Sequence, residues 1–234
     1  MITTIFFDLD GTLLPMDLEE FQQAYMAGLA KKMAPHGYEP KLLLKSISRG
    51  IAAMVGNTGT QTNEAVFWEA FAQCCGRDGQ ADTPIFMDYY HKEFQALQAL
   101  CGFDPRAGET VDQLKEMGYR LVLATNPLFP AIATQSRTLW AGVKPEDFAI
   151  VTTYENSCRC KPNPDYYREL LEKLDLRAEE CLMVGNDADE DMIAESLGMK
   201  VFLLTDCLIN RQGKDITQWP HGSFGELMNY IHSL

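Results

Sequence analysis

Apolar and polar positions divide the chain into two kinds of pattern. Residues 2 to 8 form a short β-branched and aromatic run, Ile-Thr-Thr-Ile-Phe-Phe-Asp, which predicts a buried strand. From about residue 17 to 100 the period is helical. Leu18, Phe21, Tyr25, Leu29 and Met33 mark one helix, and Leu42, Leu43, Ile47 and Ile51 a second after Pro40. Gly56 to Gly59 predicts a turn, then Ala65, Trp68, Phe71 and Ala72 a third helix, and Phe86, Tyr89, Tyr90 and Phe94 a fourth. Phe67, Trp68 and Phe71 are expected to be core of this helical module.

Beyond residue 107 helix and strand alternate. Val111, Leu114 and Met117 lie on a helix ended by Gly118. Strands are predicted at 120–124, 148–152, 181–184 and 200–204, and helices at 130–140, 164–174, 189–197 and 224–231. Alternation of this kind implies right-handed crossovers and a parallel sheet, hence an α/β fold. The expected division is an α/β core from 1–16 and 101–234, with an inserted helical domain at 17–100.

Composition narrows the partners. The 234 residues carry 33 acidic and 20 basic side chains, a formal charge of -13. Such a surface repels nucleic-acid phosphates and anionic membranes, so neither is an expected partner. Seven cysteines show no paired framework, and Cys158 and Cys160 have no second pair at zinc-like spacing. The four histidines are scattered. Met1 to Phe7 lacks a basic leader region, and no run of about 18 apolar residues occurs. A cytoplasmic location is expected, as a monomer or homodimer.

In an open parallel sheet, ligands gather beyond the carboxyl ends of the strands. Asp8 ends the first strand, Thr125 and Asn126 follow the second, and Gly185-Asn-Asp187 follows the strand at 181–184, with Asp191 further on. Lys161 follows the segment at 148–152 after a loop. Clustered carboxylates need a hard cation, and an all-oxygen set suits Mg²⁺. A carboxylate can act as a nucleophile and form an aspartyl-phosphate. A second carboxyl group two residues away can protonate a leaving group and then deprotonate water. A Thr hydroxyl and a Lys ammonium can hold phosphoryl oxygens. Alone, Asp8 would read as a turn former, Thr125 as a helix cap and Lys161 as a solvated lysine.

Four motifs in order change those readings: Asp8-Leu9-Asp10-Gly11-Thr12, Thr125 in Leu-Ala-Thr-Asn-Pro, Lys161 in Lys-Pro-Asn-Pro-Asp, and Gly185 with the acids up to Asp191. The chain resembles phosphatases of the haloacid dehalogenase superfamily with a helical cap inserted after the first motif. The resemblance implies a doubly wound, Rossmann-like core with an all-helical cap. It implies Asp8 as nucleophile and metal ligand, and Asp10 as general acid/base with its carbonyl on the metal. Thr125, Lys161 and the backbone near Leu9 and Asn126 would hold the phosphoryl group. Asp187 would complete the Mg²⁺ site, with Asp191 and Asn186 as further candidates. Asn186 stands where the family often has Asp after the Gly, which leaves the register of the fourth motif open by one residue.

Asp10 favours phosphate esters over halides or phosphonates, since dehalogenases lack an acid there. The expected activity is hydrolysis of a small phosphorylated metabolite. A sugar-phosphate mutase and a non-catalytic binding protein on the same fold stand as alternatives. A dinucleotide-binding protein fits poorly, because no Gly-x-Gly-x-x-Gly follows the first strand. Arg49 and the turn at 56–60 are candidate substrate contacts on the cap.

Overall fold

A computed structural model describes residues 1–234. β1 (Thr4–Phe7) leads into α1 (Leu18–Met33), α2 (Pro40–Val55), α3 (Asn63–Cys75) and α4 (Thr83–His91). Then follow α5 (Pro105–Glu116), β2 (Arg120–Leu123), α6 (Ala131–Trp140), α7 (Pro164–Leu174), β3 (Cys181–Gly185), β4 (Lys200–Leu204), β5 (His221–Gly222) and α8 (Phe224–His232). The five strands form one sheet in the order β2-β1-β3-β4-β5, with every neighbouring pair parallel.

The strand side chains explain why each strand is apolar throughout. Ile5 and Phe7 of β1, Leu121 and Leu123 of β2, and Leu182 and Val184 of β3 point to one face. Phe6, Val122 and Met183 point to the other. The first face is covered by α5, α6 and α8 through Val111, Trp140 and Leu227. The second is covered by α7 through Tyr166, Tyr167 and Leu170. A parallel sheet covered on both faces needs apolar residues at both parities. Each fully buried Phe or Leu here contributes about 1.5–3 kcal/mol.

The helical stretch begins and ends at one place. Met16 and Cys101 form an antiparallel bridge, and the Gly102 amide donates to the Pro15 carbonyl at 2.7 Å. Between them α1 to α4 pack on one another, and Phe21, Leu43, Trp68 and Phe94 join the core of the first sheet face. The N-terminus of α3 is also tied to the core loops. The Asn63 amide donates to the Ser157 carbonyl at 2.8 Å, and the Glu64 amide to the Tyr154 carbonyl at 2.8 Å. No helix is long and apolar enough to cross a membrane.

Three local expectations need correction. Residues 148–152 run beside β2 but form only the single bridge Leu123–Val151. Ala149 N–H donates to Leu121 and Thr152 N–H to Leu123, so three residues advance past two. That bulge interrupts the ladder at the sheet edge. The helix expected at 189–197 is a tighter 3₁₀ turn over Met192–Leu197. The one expected at 86–94 breaks at Lys92, and Glu93–Leu100 continues as 3₁₀. β5 is too short to leave a pattern in the sequence.

Candidate active site

β1 ends where its last ladder bond is made. Asp8 N–H still donates to the Val184 carbonyl at 2.9 Å, so the Asp8 side chain stands at the carboxyl edge of the sheet. The chain then turns sharply. Leu9 C=O accepts from Thr12 N–H at 3.1 Å and Leu14 N–H at 2.9 Å, and Gly11 has φ +81°. A Cβ on Gly11 would meet Asn186 Nδ2 at 2.2 Å, so space and conformation both demand glycine.

Seven of the eight expected site residues line one cavity of about 210 Å³: Asp8, Asp10, Thr125, Asn126, Asn186, Asp187 and Asp191. The eighth, Lys161, is buried behind Asp8. Its ammonium donates to Asp8 Oδ1 at 2.9 Å and Asp191 Oδ1 at 2.6 Å. Burial alone would lower the lysine pKa, but the carboxylates of Asp191 and Asp8 outweigh it and hold it well above the usual value. Burial pushes the Asp191 carboxyl up, against the pull of Lys161. Its other oxygen, Oδ2, accepts from the Asp187 N–H at 2.9 Å. The Asp8–Lys161–Asp191 chain is thus satisfied at each link, as buried charges require.

The remaining predicted residues each have defined partners. Thr12 Oγ1 donates to Asn186 Oδ1 at 2.9 Å, and Asn186 Nδ2 donates to the Cys207 carbonyl at 2.7 Å. Asp187 Oδ1 accepts from the amides of Asp189 at 2.8 Å and Glu190 at 3.0 Å, and its Oδ2 from Arg211 Nη1 at 2.9 Å. The Thr125 carbonyl is fixed by Thr152 Oγ1 at 2.6 Å and the Tyr166 hydroxyl at 3.0 Å. The N–H groups of Leu9 and Asn126 donate to no acceptor within the protein. Unpaired amides beside buried polar groups are suited to an anionic ligand.

Three residues of the site were not singled out from the sequence. Arg137, on α6, is 1% exposed and pairs with Asp10 Oδ2. It also lies 4.4 Å over the Phe129 ring. Burial raises the Asp10 pKa and Arg137 opposes it, while Asp10 Oδ1 has no partner. Arg137 was legible as an oddity: it falls on the same helical face as the buried Ala133 and Thr134, where a charge is out of place. Arg211 and Glu190 also line the cavity. Glu190 accepts from Asn126 Nδ2 at 3.0 Å, and burial raises its pKa. Among the cap candidates, Arg49 is exposed and lines neither this cavity nor its neighbour, and Gly59 packs against Arg159.

The donors at the cavity are oxygens. No three Asp, Glu, His or Cys side chains are close enough to hold a metal ion unaided. Carboxylate and carbonyl oxygens are the ligands that hard divalent cations take.

The fold and this set of strand-end residues define a class of hydrolase. The chain belongs to the haloacid dehalogenase-like hydrolases, whose family model matches residues 2–195. Among curated proteins, it is 24% identical over 194 residues to a glyceraldehyde 3-phosphate phosphatase of Methanopyrus kandleri, covering 82% of this chain and 78% of that one. It is 33% identical over 92 residues to the pyrophosphatase PpaX of Bacillus cereus, covering 39% of this chain and 41% of that one. Among solved structures, a predicted phosphoglycolate phosphatase from Haemophilus somnus matches with a TM-score of 0.59 at 19% identity, over 98% of both chains. CbbY from Rhodobacter sphaeroides, solved with phosphate, matches with a TM-score of 0.56 at 20% identity, over 97% of this chain and 96% of that one. At those identities the structural matches bear on the fold alone.

Proposed function

We propose that the protein is a Mg²⁺-dependent phosphatase that cleaves a small phosphomonoester through a phosphorylated Asp8. The observation that carries this reading is the buried Asp8–Lys161–Asp191 chain, which opens at Asp8 onto a cavity shared with Asp10, Thr125 and Asn126, whose amide is free. Phosphatases among the curated relatives support it.

Asp8 Oδ2, with the Thr12 hydroxyl oxygen 3.3 Å away and that hydroxyl's closer bond made to Asn186, attacks the phosphorus. Lys161 keeps the other oxygen fixed and offsets the charge that develops on the phosphoryl group. The Thr125 hydroxyl and the amides of Leu9 and Asn126 receive the phosphoryl oxygens. Asp10 protonates the departing alkoxide as the P–O bond breaks. It then takes a proton from water, which attacks phosphorus, releases inorganic phosphate and restores the Asp8 carboxylate. An Asp raised by burial can carry that proton, and Arg137 holds its far oxygen in place. Asp8, the Asp10 carbonyl and Asp187, with Asn186 and Asp191 nearby, would hold Mg²⁺. The ion would offset the charge of the phosphoryl oxygens and of the clustered carboxylates. The helices at 17–100 act as the cap that covers this cavity.

A screen of phosphorylated metabolites for phosphate release, with and without Mg²⁺, tests the reading. Asp8→Asn is expected to reduce turnover by about 10⁴-fold or more. Wild-type turnover in that variant would rule out Asp8 as the nucleophile.

A further inference from the structure

A second cavity adjoins the first beneath the helical stretch. Its volume is about 190 Å³, and α1, α2, α3 and α4 supply most of its walls. Gln22, Leu128 and Phe129 line both cavities, so the two share one partition. Thirteen of its fifteen lining residues are hydrophobic, none is charged, and the other two are Gln22 and Pro130. Ile47, Ile51, Trp68 and Met87 are among its lining residues.

Two of its three tyrosine hydroxyls are already paired, while the Gln22 amide, the Trp68 indole N–H and the Tyr154 hydroxyl are its remaining polar groups. The hydroxyls of Tyr25 and Tyr90 bond to each other at 2.8 Å, and the Tyr89 hydroxyl donates to the Tyr25 carbonyl at 3.1 Å. Burial pushes the Tyr25 phenol up to about 12, so this pair stays neutral. Protein interiors hold few voids larger than a water molecule. An apolar hollow of this size is therefore not an ordinary packing gap. An engineered apolar cavity of roughly 150 Å³ in another protein binds benzene, so this one has room for a single ring or a short branched chain.

We infer that this cavity receives the organic part of the substrate, and that the substrate is the phosphomonoester of an uncharged, apolar alcohol about the size of benzyl alcohol. The inference rests on the phosphatase reading for its phosphate end. A polyhydroxylated group would exchange water for a wall with few polar groups, chiefly Gln22, Trp68 and Tyr154, a loss of roughly tenfold or more for each hydroxyl left unpaired. A carboxylate would find no cation in the cavity. The apolar ring instead gains by leaving water. Phe129, whose ring carries Arg137 at 4.4 Å, lines both the ring site and the phosphoryl site, so the two sites meet at its side chain.

Two measurements on the full chain with Mg²⁺ test this separately from the chemistry. The first is saturable binding of phenethylphosphonate, the uncleavable analogue of benzyl phosphate, followed by tryptophan fluorescence. The second compares kcat/KM for benzyl phosphate and a hexose phosphate. Benzyl phosphate is expected to lead by roughly a hundredfold. Ile51→Lys and, separately, Met87→Gln should each erode that lead tenfold or more, chiefly through KM. Binding of the phosphonate with no turnover of any ester would uphold the apolar site and sink the phosphatase reading. Turnover that favours the hexose phosphate, without phosphonate binding, would overturn the inference and leave the phosphatase reading standing. Ile51→Lys and Met87→Gln variants that fold and keep the full preference would also overturn it.

Discussion

The cavity at the strand ends is lined by five acidic side chains, and the cavity beside it by none. The first is built from residues at the tips of β1, β2 and β3, held by a chain of buried charge pairs. The second is built mainly from helix faces and owes its shape to aromatic packing, such as the Phe67–Trp68 and Trp68–Phe86 edge contacts at 5.1 and 5.3 Å. The difference separates two tasks. Reaction chemistry needs fixed charges, and the sheet supplies fixed positions for them. Choice of substrate needs a shaped surface, and packed helices supply that without buried charge.

Asp10→Asn breaks the first cavity while leaving the second intact. It should lower kcat by about 10²–10⁴-fold without changing phenethylphosphonate binding; equal losses in both would mean that the two tasks are not separable. Arg137→Met probes the partition. It leaves the Asp10 carboxylate without its cation, and a stability loss of about 3 kcal/mol is expected in urea unfolding, the low end for a buried pair because Asp10 keeps 18% of its side-chain surface. Asp10→Asn in the same chain should recover part of it, since the two residues are one coupled unit. An unchanged unfolding midpoint in Arg137→Met would show that the pair does not stabilise the fold. Gly11→Ala should have the smallest effect, about 1–3 kcal/mol from positive φ and the approach of Asn186. Thermal unfolding reads it directly, and a Tm equal to wild type would mean that the turn relaxes freely.

Much of this was visible in the order of residues, for a physical reason. Short apolar runs such as Thr4–Phe7 and Cys181–Gly185 are central strands buried on both faces, and polar residues right after them fall at the carboxyl edge. That logic brought Asp8, Thr125 and Asp187 to one cavity from distant parts of the chain. The misses have other causes. Residues 148–152 are apolar enough for a strand, but a one-residue bulge in hydrogen bonding leaves no trace in a hydropathy pattern. The turn after Asp187 tightens because that carboxylate caps the amides of Asp189 and Glu190 while Asp191 is drawn inward to Lys161. Arg137 reads as one more helix charge until its face of α6 is known to be the buried one. The cavity beneath the helices is a property of volume, and no one-dimensional pattern records the space left between side chains.

The bridge between Met16 and Cys101 has a consequence for how the molecule is wired. Where the helical stretch departs and where it returns, the chain lies as close as two neighbouring strands. To the sheet, everything from α1 to the last 3₁₀ turn is equivalent to the loop of a hairpin, and its length is immaterial to the strand register. The clasp at Asn63, reaching the carbonyls of Pro127 and Arg159 and the Cys160 sulfur, is one of the contacts that tell the sheet which loop it carries.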